Sequence, residues 1–135
     1  MDTPKANPYD PLIDGKKAME WYRKAADLGD GDAMCDLGGI YQESQFTPQN
    51  YREALRWYER AAETGSGTPG PMLLGDMFER IVPDNIEAYK WYSIMCADTK
   101  TPDCLERDAI AKTLSPVEIV KAQGMASEWV KQFRK

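Results

Sequence analysis

The 135-residue sequence contains no histidine. Histidine is the commonest general base and metal ligand in proteins, and it is the usual partner of a serine or cysteine nucleophile. Its absence excludes most familiar hydrolase mechanisms. The S-x-x-K, G-x-S-x-G, Walker A and G-x-G-x-x-G patterns are absent as well. We therefore expect no catalytic residues, no metal site and no cofactor.

Long apolar runs are also missing. No segment approaches the roughly 20 apolar residues that a membrane-spanning helix requires, so we expect no direct membrane insertion. Residues 1–15 lack the basic and apolar regions of a secretory signal peptide. Because a processed chain would lack them too, we infer the compartment from the cysteines instead.

Basic residues are too few to balance the acidic ones. The formal net charge is −5 and the pI is near 4.8. Because like charges repel, nucleic acid and anionic lipid are disfavoured as partners, whereas a basic or neutral protein surface is compatible.

With 42% apolar residues, the chain is long enough for one domain spanning residues 1–135.

One spacing of small and aromatic residues occurs three times. Its first copy consists of Ala18, Trp21, Tyr22, Ala25, Ala26 and Gly29. The second copy, 36 residues later, consists of Ala54, Trp57, Tyr58, Ala61, Ala62 and Gly65. The third copy, after another 34 residues, begins with Ala88, Trp91 and Tyr92. A looser second half recurs as Leu37, Gly38 and Tyr41, and then as Leu74, Gly75 and Phe78.

These spacings predict two helices per unit. Apolar positions three and four residues apart lie along one face of a helix, so each first helix should bury its Trp-Tyr pair. The alternative is that the aromatic rings form a platform for a sugar or peptide. Gly29 and Gly65 suit left-handed positions that end the first helices. A two-helix unit cannot cover its own apolar face, which predicts that consecutive units stack into a solenoid.

At these residues the sequence resembles the Sel1-like repeat family, whose units read A-x-x-W-Y-x-x-A-A-x-x-G and then A-x-x-x-L-G-x-x-Y. The resemblance covers residues 17–114. It implies an all-α, right-handed α/α superhelix of about seven helices, similar to tetratricopeptide arrays, with the first helices lining the concave face. The expected organisation is an N-terminal arm (1–14), three repeats (15–49, 50–83 and 84–114) and a capping helix (115–135).

The predicted capping helix has a clear start. Ser115, Pro116 and Glu118 form a capping box with a proline at the first helical position. Its expected apolar side consists of Val117, Val120, Met125 and Trp129. Its expected solvent side consists of Lys121, Glu128, Lys131, Arg134 and Lys135. Such a helix would seal one end of the stack.

Cys96 and Cys104 form a C-x7-C pair in the third repeat. The resemblance to cysteine-rich Sel1-like proteins implies a disulfide that joins the two helices of this repeat. Such a bond would indicate an oxidising compartment such as the bacterial periplasm. The alternative is two buried free thiols in a cytoplasmic protein. We expect Cys35 to be a buried free thiol.

The variable positions of the first helices are the predicted partner-binding residues on the concave face. They are Lys17, Glu20, Lys24, Glu53, Arg56, Arg60, Glu87, Lys90 and Ile94. The alternative is an ordinary solvated surface with helix-stabilising charges.

The resemblance and the missing catalytic groups imply a non-enzymatic protein-protein interaction module. Short periplasmic Sel1-like proteins resemble immunity proteins, which bind an antibacterial effector such as a type VI secreted phospholipase and so protect the producing cell. One alternative is an envelope or signalling scaffold. Another is an enzyme, since cysteine-rich members of the family have been linked to penicillin binding and β-lactam hydrolysis.

Overall fold

The computed structural model describes residues 15–44, 48–100 and 104–134. Within these ranges all regular elements are helices, which confirms the predicted all-α class and the expected number of helices. They are α1 (Gly15–Asp27), α2 (Gly31–Ser44), α3 (Pro48–Thr64), α4 (Gly70–Arg80), α5 (Asn85–Thr99), α6 (Leu105–Ala111) and α7 (Pro116–Phe133). The predicted N-terminal arm, residues 1–14, lies outside the described residues.

From α1 to α6, each helix packs against the next one along the chain. One apolar cluster runs through this stack from Ala26 of α1 to Trp129 of α7. A second cluster joins Tyr92 of α5 with Ile110 of α6 and Ala122 of α7. The helices therefore share a continuous core, as a solenoid requires.

A glycine–tyrosine contact joins each second helix to the following first helix. The ring of Tyr58 lies so close to Gly38 that a Cβ atom there would be 2.5 Å from the Tyr58 Cε1 atom. A Cβ atom at Gly75 would likewise be 2.5 Å from the Tyr92 Cε1 atom. Both rings are buried, so they have little room to move.

Each buried tyrosine also donates one hydrogen bond at its hydroxyl end. The Tyr58 hydroxyl donates to Gln42 Oε1 at 2.8 Å, and the Tyr92 hydroxyl donates to Glu79 Oε2 at 2.6 Å. Burial raises the pKa of both phenols, and the bond to Glu79 raises that of Tyr92 further. Both tyrosines therefore remain protonated donors at neutral pH.

The turns after the first helices differ. Gly29 follows α1 with φ of 93°, a positive value that only glycine adopts without strain, as predicted. Gly65 follows α3 with φ of 159°, a positive value that favours glycine but lies well outside the left-handed helical region, so its predicted left-handed helix end is wrong. The chain continues from Gly65 through residues 66–69 before α4 begins.

The burial of the tryptophans depends on the repeat. Trp57 and Trp91 are 7% and 1% exposed, as predicted for core residues. Trp21 is 58% exposed, so its predicted burial is wrong. The guanidinium of Arg23 on α1 lies 5.7 Å from the ring of Trp57, whereas no described helix precedes α1 to cover Trp21 in the same way.

The start of α7 agrees with the prediction. The Ser115 hydroxyl accepts a hydrogen bond from the Glu118 backbone at 3.2 Å, and the Glu118 carboxylate accepts one from the Ser115 backbone at 2.9 Å. These bonds lower the pKa of Glu118. The reciprocal arrangement is the capping box that the sequence indicated.

The predicted apolar side of α7 is wrong at its beginning. Val117 and Val120 are 79% and 67% exposed. The buried positions are Ala122, Ala126 and Trp129, which follow each other at four and three residues. Small alanines allow α7 to approach α5 closely, and this favours their face over that of the branched valines.

Cys96 and Cys104 form the expected disulfide, with their Cα atoms 5.9 Å apart. The bond joins α5 to the residue that precedes α6. Cys35 is a buried free thiol, as predicted. Burial, followed by the charges of Asp32 and Asp36, raises the pKa of Cys35 to about 12.

We predict that Gly38→Ala or Gly75→Ala destabilises the chain by about 1–3 kcal/mol, because the new methyl group overlaps a buried tyrosine ring. Urea unfolding followed by circular dichroism measures this change. The matched control is Gly124→Ala, where a Cβ meets nothing within 4 Å. This control should gain about 0.5–1 kcal/mol of helix propensity. Equal effects at Gly38 and Gly124 would contradict the close contact.

We also predict that no thiol of the oxidised, folded chain reacts with Ellman's reagent at pH 8. The Cys35 thiol is protonated and buried there, and the other two cysteines are bonded. One thiol should react in urea, and three should react after reduction in urea. Rapid reaction of the folded chain would contradict either the burial of Cys35 or the disulfide.

Candidate protein-binding surface

The predicted partner-binding residues of α1 and α3 are mostly accessible. Lys17, Glu20 and Lys24 of α1 are exposed. On α3, Arg56 and Arg60 are exposed as well. Glu53 is half-buried, and its carboxylate lies 3.3 Å from the Arg56 guanidinium. These two helices leave their charged side chains open to a partner.

The predicted partner-binding residues of α5 are not accessible in the same way. Ile94 is fully buried in one cluster with Ala126 and Trp129 of α7, so its assignment to an open binding face is wrong. The Lys90 side chain is only 13% exposed, pairs with Glu87 at 2.8 Å and lies 4.5 Å from the ring of Trp91. The reason is that α7 packs along α5 and covers this face.

Arg134 holds the end of α7 against α5. Its guanidinium makes two hydrogen bonds of 2.9 Å to the Asp98 carboxylate of α5, and a third of 3.2 Å to the backbone carbonyl of Gly65 after α3. It also lies 4.7 Å from the ring of Trp129, which meets Trp91 edge-on at 5.2 Å. The prediction that Arg134 faces water is therefore wrong; Lys135 lies outside the described residues.

The charges of the chain are distributed unevenly over its helices. Asp30, Asp32, Asp36 and Glu43 lie on or just before α2, and this helix carries no lysine or arginine. Burial, followed by the charges of Asp32 and Asp30, raises the pKa of Asp36. Helix α1, by contrast, carries both signs of charge. Asp30 and α2 thus form one acidic segment beside α1.

An exposed line of side chains runs along α1 and its final turn. We call Lys17, Trp21, Lys24 and Leu28 the α1 stripe; they follow each other at four, three and four residues, so they share one side of the helix. All four are exposed, with Leu28 at 88%. The Leu28 amide donates to the Lys24 and Ala25 carbonyls, which extends the helical path to this residue.

Sequence reasoning selected the two lysines of the α1 stripe but missed Trp21 and Leu28 as surface residues. Trp21 has the same local motif as Trp57, and the motif alone does not distinguish a terminal repeat from an internal one. No described helix lies before α1 to cover Trp21.

Comparison with known proteins identifies the repeats. Residues 10–30, 31–66 and 72–98 match the Sel1 repeat. The chain belongs to the Sel1 repeat family. None of the curated proteins matches it. As a Sel1 repeat protein, the chain is a protein-interaction module of a family that is generally not enzymatic.

A solved structure has the same fold. It is the crystal structure of a protective antigen present in uropathogenic Escherichia coli strains, which displays an SLR fold. The TM-score is 0.71 at 22% sequence identity, and the match covers 87% of the present Sel1 repeat chain. It covers 26% of the antigen's chain, so the present chain spans about a quarter of the length of that protein.

Neither a metal site nor a membrane-spanning helix occurs in the described part of this Sel1 repeat protein. The cysteine, aspartate and glutamate side chains there form no group that could hold a metal ion. No helix there is long and apolar enough to cross a membrane. The exposed surface of α1 and α3 is therefore the candidate site that the geometry favours.

We predict that Asp98→Asn destabilises the protein by about 3 kcal/mol, because it leaves the largely buried Arg134 guanidinium without its carboxylate. Urea unfolding of Asp98→Asn, Arg134→Met and the double variant measures the coupling between them. The double variant should lose less stability than the sum of the single losses. The control is Glu128→Gln, whose exposed 3.7 Å pair with Lys131 should contribute under 1 kcal/mol. Additive losses at Asp98 and Arg134 would contradict the coupling.

Proposed function

We propose that this Sel1 repeat protein binds another protein through the exposed surface of α1 and α3. The observation that carries the proposal is the 58% exposure of Trp21, since the equivalent Trp57 and Trp91 are buried. Exposed tryptophans are costly to hydrate and are frequent anchors in protein interfaces. Arg56 and Arg60 supply exposed polar contacts on the neighbouring first helix.

The covering of α5 by α7 also supports placing the binding surface on α1 and α3. The first helix of the third unit is covered by α7, which is held by Trp129 and Arg134. Only the first helices of the first and second units keep their charged side chains open among the described residues. A partner that recognises first helices would therefore contact α1 and α3.

We further propose that the protein is a periplasmic immunity protein that neutralises an antibacterial effector of the type VI secreted, phospholipase-like class. The Cys96–Cys104 disulfide supports an oxidising compartment. The acidic segment formed by Asp30 and α2 next to α1 supports a basic partner surface, because opposite charges accelerate encounter. An envelope scaffold is the alternative outcome of the experiment below.

The test is affinity capture from the secreted and envelope fractions of the source cells, with identification by mass spectrometry. We expect the chain to capture one effector and Trp21→Ala to reduce its recovery at least tenfold, because the anchor is lost. Leu105→Ala is the matched control, since Leu105 is 75% exposed at the other end of the stack and should not affect recovery.

The captured effector then allows a test of immunity. Periplasmic co-expression of the Sel1 repeat protein should restore the growth of cells that produce the effector, and Trp21→Ala should protect them less. Capture of envelope-assembly proteins without any effector would contradict immunity and favour the scaffold. Equal recovery by Trp21→Ala and the unchanged chain would contradict the proposed surface.

A further inference from the structure

A contact at a tryptophan links the first helices of the first two units. The guanidinium of Arg23 on α1 lies 5.7 Å from the centroid of the Trp57 ring on α3. Arg23 also donates a hydrogen bond of 3.2 Å to the Tyr41 hydroxyl of α2. A cation on α1 therefore lies against the tryptophan of α3.

Trp21 occupies in α1 the position that Trp57 occupies in α3, 36 residues later. No described helix precedes α1, and Trp21 is 58% exposed. The side of α1 that carries Trp21 is thus equivalent to a side that, in α3, is approached by an arginine of the preceding first helix. This equivalence indicates the chemistry of an occupant, which is a guanidinium group carried by a helix.

From this equivalence we propose that the α1 stripe docks an amphipathic helix of a basic partner protein, which places an arginine guanidinium over Trp21. This inference rests on the proposed function and names the kind of partner. The helix would take the place of a preceding first helix, with its apolar side chains against Trp21 and Leu28. Indole rings attract guanidinium groups through their negatively charged faces.

The charges around the stripe are compatible with this occupant. Glu20 and Asp27 are exposed on α1, and the charged residues of the following helix, α2, are all acidic. The two lysines of the stripe do not exclude an incoming arginine, as the second unit demonstrates. Arg60, the counterpart of Lys24, lies 4.5 Å from the Trp57 ring while Arg23 approaches the same ring.

The experiment uses three fluorescently labelled, helix-stabilised peptides that differ at one central position: arginine, citrulline or glutamate. Citrulline retains the shape of arginine but is uncharged. Binding to the full chain is measured by fluorescence anisotropy. We expect the arginine peptide to bind at least tenfold more tightly than the glutamate peptide and at least threefold more tightly than the citrulline peptide.

Variants of the chain locate the contact. Trp21→Phe should weaken binding of the arginine peptide, and Trp21→Leu should weaken it further, because the attraction for a cation falls in this order. The Trp21→Leu chain should also lose the preference for arginine over citrulline. Glu20→Lys with Asp27→Lys should weaken binding of the arginine peptide at least threefold, whereas the matched control Glu128→Lys on α7 should leave it unchanged.

Two results would overturn the inference. One is equal binding, or no binding, of the arginine and glutamate peptides. The other is an arginine preference that survives in Trp21→Leu. Either result, together with Trp21-dependent capture of an effector, would leave the proposed function intact and reject only the basic helix. Arginine-selective peptide binding without any captured protein would reject the proposed function alone.

Discussion

The stack depends on the contact between a buried tyrosine and a glycine of the preceding helix. Tyr58 lies on Gly38 and Tyr92 lies on Gly75. An alanine at either position would place its methyl group too close to the tyrosine ring. The hydroxyl groups donate to Gln42 and Glu79, so each buried ring is also held at its polar end. Since side chains in a packed core have little free volume, these contacts fix the position of each unit on the previous one.

The two ends of the described stack are covered to different extents. At the C-terminal end, α7 brings Trp129 against Trp91 and Arg134 against Asp98, which covers the first helix of the third unit. At the other end, Trp21 has the sequence position of a covered tryptophan but no described helix over it. Among the described residues, α7 covers one end of the stack, and the candidate surface lies at the other end.

Net charge alone describes this protein poorly. The value of −5 predicts a basic or neutral partner, but the charges differ between helices: those of α2 are all acidic, whereas α1 places lysines beside Trp21. Arg23 and Arg60 both lie near the ring of Trp57, so cations and an indole ring are neighbours within this chain. The proposed recognition at α1 therefore depends on a specific aromatic contact and not on net charge alone.

By itself, the sequence determined the helices, the repeat and the capping box, because these depend on spacing and on neighbours within a few residues. The resemblance of the C-x7-C pair to its family further indicated the Cys96–Cys104 bond. Only the tertiary structure decided which copies of the motif are buried. Trp21 and Trp57 share one local pattern, yet one is exposed and the other covered, because burial depends on the helix in the adjacent unit. The same reason explains Ile94, which α7 buries, and Val117 and Val120, which α7 turns towards solvent as its alanines pack against α5.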